Sequence, residues 1–267
     1  MAINDLRISS EGKVVGRGEP LSDDSDGEGG ADTGGSKGSF DAAVSGVACA
    51  IKAVDMVCKG EVVSAFCATR PPGHHAGTDL RPMGAPSNGF CVLNSVASAA
   101  KYAVTPKDQG GFGLSRVCVI DFDVHHGNGT QEILCKTYDP RFLYISMHAG
   151  DVSRFPEEEE EEENTDGSDG EEGGRQRSKK KEEEKIFPGD CGGYSPHPGV
   201  LNIPMGDIVT SAKVGQALSG GVKNAVSAFM PDLILLSAGF DAHRNDPLGL
   251  GGLSTTDFGT ITDICCR

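Results

Sequence analysis

Residues 116–129 read RVCVIDFDVHHGNG. The first seven form a nearly unbroken apolar run. Such a run reads as a strand buried on both faces, as in a parallel sheet. Asp123, His125 and His126 follow at once, in a glycine-rich setting. Alternate side chains of an extended backbone share a face, so Asp121, Asp123 and His125 point the same way. Asp123 and His125 are thereby placed to hold one ion. Ligands of open parallel sheets bind just beyond the carboxyl ends of the strands, which is where these residues stand.

The same alternation extends in both directions. Val44, Val47, Ala48, Ile51, Val54 and Cys58 recur at helical spacing, with Ser39 as the expected N-cap and Gly60 as the stop. Residues 62–68 (VVSAFCA) read as a buried strand, 90–104 as a helix and 129–136 as a short helix. Strands are expected at 142–147, 200–203 and 233–238 (LILLSA), and a helix at 211–229. Strands alternating with helices imply an α/β fold with an open parallel sheet covered on both faces, in three layers.

Three expected strand ends carry chemistry. RPPGHHAG after residue 68 brings His74 and His75, DFDVHHGNG brings Asp121 to His126, and GFDAHRNDPLG after residue 238 brings Asp241, His243 and Asp246. Asp123 and His125 need a third ligand, and Asp241 is the best candidate. Asp, His and Asp with open positions suit a catalytic metal. Zn²⁺ is the first choice, and Fe²⁺ accepts the same ligand types. Adjacent histidines in a Pro/Gly loop fit paired acid and base work. Asp121 and Asn128 are the nearby groups that would fix their tautomers. A carboxylate partner favours imidazolium more than a carboxamide does, so the two rings should titrate differently.

Charge sets the limits on other functions. The chain has 267 residues and a formal net charge of −15. Residues 1–39 carry 8 acidic and 4 basic side chains, and residues 157–185 carry 14 and 6. The rest carries 17 and 14, nearly neutral. Direct nucleic-acid binding, which needs a basic face, is disfavoured. No apolar stretch approaches the ~20 residues of a membrane-spanning helix, and no signal peptide is visible. Residues 1–39 read as low-complexity and mostly disordered. Residues 157–185, with seven consecutive Glu, read as a disordered acidic/basic insertion. Within it, 175–181 (RQRSKKK) reads as a solvated loop in preference to a nuclear localisation signal. Nine cysteines without a C-x-x-C pair point to a reducing compartment and mostly structural thiols.

Five stretches together resemble the zinc-dependent histone deacetylases: RPPGHHA (70–76), NGFCVLN (88–94), IDFDVHHGNGTQEI (120–133), FPG (187–189) and SAGFDAHRNDPLG (237–249). The similarity is to the class II type, whose second histidine is partnered by Asn. It implies the arginase/deacetylase α/β fold over residues 40–267, as a partial deacetylase domain. The implied reaction is hydrolysis of N6-acetyl-lysine to lysine and acetate. The resemblance implies Zn²⁺ on Asp123, His125 and Asp241. His75 would be the main general base and acid, and His74 its electrostatic partner. Asp121 would orient His74, and Asn128 would orient His75. Phe90 and Phe187 would wall the acetyl-lysine tunnel, with Gly89 between wall and metal, and Asp32 would hold the substrate backbone at the rim. Asp121, Asp123, His125 and Ser146 match positions around a structural K⁺ site of the family. Acetylated histone tails or other acetyl-lysine proteins are the implied partners, with a corepressor complex, chromatin and transcription regulation, and a nuclear or cytoplasmic location.

The family also places a catalytic Tyr in a downstream L-E-G-G-Y motif. The tyrosines here are 102, 138, 144 and 194, none after Asp241. The middle of a deacetylase domain is therefore expected, with the last strands lacking and a sheet edge exposed. An acetyl-lysine-binding module without turnover is the competing expectation. A related small-molecule hydrolase, on acetylpolyamine or guanidino substrates, is the third; a two-manganese arginase-type site would need extra carboxylates, and only Asp121 and Asp246 are at hand.

Overall fold

The structure, a computed structural model, describes residues 7–8, 14–15, 33, 35, 37–78, 87–150 and 197–265. Asp32, Phe187 and the expected insertion at 157–185 lie outside them. Two short strands, β1 (Arg7–Ile8) and β2 (Val14–Val15), pair antiparallel. Helix α1 (Ser39–Cys58) follows, then α2 (Ser95–Val104), β3 (Val117–Asp121), α3 (Asn128–Cys135), β4 (Phe142–His148) and β5 (Val200–Pro204). Helices α4 (Ser211–Ala217) and α5 (Lys223–Phe229) flank a π turn at Leu218–Val222, and β6 (Leu233–Ser237) and α6 (Thr255–Cys265) close the order.

Four strands form one parallel sheet in the order β5-β4-β3-β6. Every residue of β3 and β4 is buried, whereas β5 and β6 are half-buried. That difference follows from their places at the middle and edges. Alternation along β3 divides the core in two. Cys118 and Ile120 pack with Leu143, Ile145, Val214, Leu218 and Phe258 on one face. Val117 and Val119 pack with Phe142, Tyr144, Val54, Ala97 and Leu134 on the other. The result is three layers, as the continuous apolar runs predict. The chain moves from β3 outward to β4 and β5, then returns to the far side of β3 for β6. The strand order thus reverses between β3 and β6, the type of crevice where such sheets place ligands.

The expected strand at 62–68 is not formed. These residues carry no regular structure, and Val63 is 98% and Phe66 76% exposed. The described sheet ends at β6, so this segment has no neighbouring strand to complete a ladder. The His74–His75 loop therefore leaves an irregular segment and not a strand end. Three boundaries also shift. Gly38 precedes α1 without a side-chain cap, and Ser39 lies inside the helix. Helix α2 starts five residues later than its apolar pattern suggests, because Asn94 Oδ1 accepts from Ala97 N at 2.9 Å and caps it. The helix expected at 211–229 contains the π turn, where Gly220 and Gly221 contribute no side chains and Ser219 Oγ bonds back to Gly215 O at 2.8 Å. Helix α6 was not evident from the sequence.

Candidate active site

Asp121 is the last residue of β3, in register with Ser237 of β6. Two residues beyond it stands Asp123, and four beyond Ser237 stands Asp241. Adjacent parallel strands thus bring the two carboxylates together. His125 Nδ1 lies 2.8 Å from Asp241 Oδ2 and 3.2 Å from Asp123 Oδ1. Backbone donors fix both acids: His125 N bonds Asp123 Oδ1 at 2.8 Å, and Val124 N bonds Asp241 Oδ1 at 3.0 Å. One donor atom from each of Asp123, His125 and Asp241 lies within 4.8 Å of the others.

The crevice has no room for larger neighbours. A Cβ on Gly239 would overlap the Asp123 carboxylate. A Cβ on Gly127 would overlap the Asp121 carboxylate and the Tyr144 hydroxyl. The donor set fits a divalent ion by its own electrostatics. Burial pushes the His125 imidazole down, yet the Asp123 and Asp241 carboxylates outweigh this and hold it up at about 9. The two acids thus favour positive charge at the point between them. An oxygen/nitrogen set of this kind, with three protein ligands, suits Zn²⁺ with further positions open.

Above the triad sit the paired histidines, both buried. Their rings are 4.0 Å apart, and the His75 ring lies 6.0 Å from that of His125. The loop is pinned from two helices. Thr130 N of α3 bonds His74 O at 3.0 Å, and Asn94 Nδ2 bonds Ala76 O at 3.1 Å. His75 N also donates to Cys91 Sγ at 3.4 Å. His74 Nδ1 is 3.0 Å from Asp121 Oδ2, and His75 Nδ1 is 2.8 Å from Asn128 Oδ1.

These partners separate the two rings. Burial lowers His74, but the Asp123 and Asp121 carboxylates reverse it and raise the ring to about 9. Burial lowers His75 too, the His74 cation adds to it, and the ring falls to about 2. The pair therefore shares one proton near neutrality, held on His74. Asn128 Oδ1 only accepts, so neutral His75 keeps its proton on Nδ1 and its lone pair on Nε2.

Tyr144 and Asn202 carried no clear sequence signal, and the network that joins them to His126 and Ser146 was not evident. Tyr144 of β4 is fully buried, with its hydroxyl 3.1 Å from Gly127 O and 3.4 Å from Asp121 Oδ2. His126 faces away from the triad. Its Nε2 lies 2.9 Å from Gln131 Oε1, which also accepts from Asn202 Nδ2 at 2.9 Å. Ser146 Oγ is 2.9 Å from His148 Nδ1, and the His126 and His148 rings are 4.8 Å apart. A buried polar layer thus backs the site. The alternation of apolar and polar residues in YISMH hints at it only in retrospect. His243, by contrast, stacks on Phe258 at 6.3 Å and does not enter the cluster. At the rim, Gly89 and Phe90 both take positive φ, 50° and 63°. Phe90 N bonds Thr33 Oγ1 at 3.0 Å, and its ring is 55% exposed.

An open parallel sheet with an Asp/His/Asp cluster at its switch point defines an α/β protein with a candidate metal centre. Comparison with known proteins specifies the class further. The histone deacetylase domain profile matches residues 3–267. Type-2 histone deacetylase 2 of Dictyostelium discoideum is 38% identical over 228 residues, 82% of this chain and 11% of that protein. Histone deacetylase 9 of Homo sapiens is 36% identical over 221 residues, 81% of this chain and 18% of that one. Among solved structures, the HDA15 HD domain superposes with a TM-score of 0.62 at 29% identity, over 89% of this chain and 58% of that one. Acetylpolyamine aminohydrolase of Burkholderia pseudomallei gives 0.56 at 27%, over 84% and 52%. The chain belongs to the histone deacetylase family, and its fold is the α/β fold of these enzymes. It spans a minor part of the two curated relatives and a little over half of the two solved chains.

Proposed function

We propose that the chain carries the site of a zinc-dependent protein-lysine deacetylase, which hydrolyses N6-acetyl-lysine to lysine and acetate. The observation that carries this is the pairing of one acid/base-competent, neutral His75 with a metal-ligand triad a ring away. Asp123, His125 and Asp241 hold the ion. A bound Zn²⁺ supplies Lewis-acid polarisation of the amide carbonyl and makes water more acidic.

The chain's own residues do the rest. His75 Nε2 takes the proton of the attacking water and returns it to the leaving lysine amine. Asn128 holds the His75 ring and its tautomer through Nδ1. His74 stays cationic on Asp121 and balances the negative charge that develops nearby. Tyr144 steadies the Asp121 carboxylate from behind. Phe90, presented by the strained Gly89–Phe90 turn, flanks the aliphatic stem of the lysine, with Phe187 as the opposing wall and Asp32 on the substrate backbone. A structural K⁺ at Asp121, Asp123, His125 and Ser146 belongs to the same reading. Fe²⁺ is the alternative ion. The organisation proposed is a low-complexity segment at residues 1–39, then a partial histone deacetylase domain at 40–267 with 157–185 as an insertion. Acetylated histone tails, a corepressor complex, transcription regulation and a nuclear or cytoplasmic location follow from the family. No described helix is long and apolar enough to cross a membrane.

Among the described residues, the three tyrosines are placed elsewhere than over the triad. Tyr102 bonds Asp55, Tyr138 lies beside His197, and Tyr144 sits below. Metal counting and substrate choice test the proposed reading. One zinc per chain, lost in Asp241→Ala, with acetyl-lysine peptide cleaved in preference to acetylated polyamine, is expected. Two metals per chain, or cleavage of polyamine alone, would overturn it.

A further inference from the structure

Outside the active site, two cysteines from separate elements meet. Cys49 is exposed on α1, and Cys67 lies half-buried in the irregular segment 62–68. Cys67 Sγ approaches Cys49 O at 3.8 Å. The contact is part of a wider seam. Gly46 and Cys49 are three residues apart, so they share one face of α1. A Cβ on Gly46 would lie 3.6 Å from Thr69 Cβ. That face of α1 is therefore where residues 67–69 rest.

We propose that Cys49 and Cys67 form a reversible disulfide when the chain meets a hydroperoxide, tying α1 to the segment that delivers the His74–His75 loop. The redox balance is complete with that oxidant. The Cys49 thiolate attacks the terminal peroxide oxygen, breaking the O–O bond and giving a sulfenic acid and the alkoxide of the hydroperoxide, or hydroxide for hydrogen peroxide. Cys67 sulfur then displaces hydroxide from the Cys49 sulfur, forming the S–S bond. The sum is two thiols and one hydroperoxide giving one disulfide, one water and one alcohol or second water. Sulfur loses two electrons, and the peroxide oxygens gain them.

Exposure assigns the order of events. Cys49 is open to the oxidant, whereas burial pushes the Cys67 thiol up to about 11 and a side-chain hydrogen bond with Cys49 pushes the same way. Cys67 thus resists direct oxidation, and its sulfur is within reach of the Cys49 side chain. A disulfide needs Cα atoms roughly 4.4–6.8 Å apart. A segment without regular structure can make the adjustment that a laddered strand would resist. In a reducing compartment such a bond is transient, and hence a switch and not a staple. The other described thiols are less well placed. Cys91, Cys118 and Cys135 are buried.

The test is brief treatment of the zinc-loaded chain with hydrogen peroxide, quenching of free thiols and peptide mapping without reductant. The expected result is a cross-link between the peptides carrying residues 49 and 67, reversed by dithiothreitol. It should be absent in Cys49→Ser and in Cys67→Ser, and present in Cys58→Ser. The oxidised wild type should also melt at a higher temperature than the reduced chain, and the Cys49→Ser chain should show no such rise. Independent oxidation of Cys49 to sulfinic acid with Cys67 unlinked, or a link from Cys49 to any other cysteine, would overturn the proposal.

Discussion

Asp121 accepts from His74 and Asn128 accepts from His75, and that difference of carboxylate and carboxamide sets which ring holds the proton. His75→Ala should lower acetyl-lysine hydrolysis by about 10²–10⁴-fold, the usual worth of a positioned acid/base group. Zinc content should stay at one per chain in that variant. Loss of zinc would show that His75 is a ligand. His126 permits a separate prediction about stability. Burial holds its imidazole down at about 4, against 6.5 for an ordinary histidine. Between those values the unfolded chain binds a proton that the folded chain refuses, so stability is present above pH 6.5 and falls as pH drops toward 4. The full difference is about 3 kcal/mol. Urea unfolding of the metal-free chain at pH 7 and pH 4 should show a smaller loss in His126→Gln than in the wild type. An unchanged loss would mean that the His126 ring is not buried as described.

At the level of the elements, the site depends on two short pieces of backbone. Asn94 caps α2 through Oδ1, and its Nδ2 bonds Ala76 O and Thr130 Oγ1, tying the histidine loop to α2 and α3. Asn94→Ala should cost about 1 kcal/mol for the cap alone, and more with the two lost buried bonds. Chemical denaturation measures it, and a change within about 0.3 kcal/mol would show that the cap is dispensable. The turn after β6 is equally constrained. Gly239→Ala should reduce zinc occupancy, because its Cβ meets the Asp123 carboxylate. Equal zinc content in variant and wild type would contradict that packing.

The same elements show what the sequence could and could not convey. RVCVIDF and LILLSA are mainly apolar, because β3 and β6 lie in a sheet covered on both faces, and both segments form the strands the pattern predicts. The candidate ligand residues stood out because period-two alternation and strand-end position are local facts, and the structure brings their side chains together. Residues 62–68 have the same apolar character, yet a strand needs partners, and pairing is not written in the segment itself. His126 and Ser146 stood out in the sequence, but their joining with Tyr144, Gln131 and Asn202 into one backing layer was obscure for a related reason. Its members come from α3, β4 and β5 and from the approach to α3, and only their meeting makes them a network.

Taken as a whole molecule, the chain gathers its candidate site where the sheet order reverses, with the ends of β3 and β6 supplying the Asp/His/Asp cluster and the loop from α1 to α2 supplying the histidines. Residues 157–185, which lie outside the described residues, read from sequence as an insertion. Deleting them should leave the melting temperature and the zinc content unchanged, as read by calorimetry and metal analysis. A collapse of the melting transition would place that stretch inside the folding unit. The membership in the histone deacetylase family rests on the match over residues 3–267, and the proposed activity rests on the geometry of the Asp/His/Asp cluster and the histidine pair. The most direct measurement is acetate release from an N6-acetyl-lysine peptide by the zinc-loaded 267-residue chain, with and without a chelator. Release that stops on chelation and returns with zinc is the predicted result. No release from a folded chain that holds one zinc and binds the peptide would contradict it.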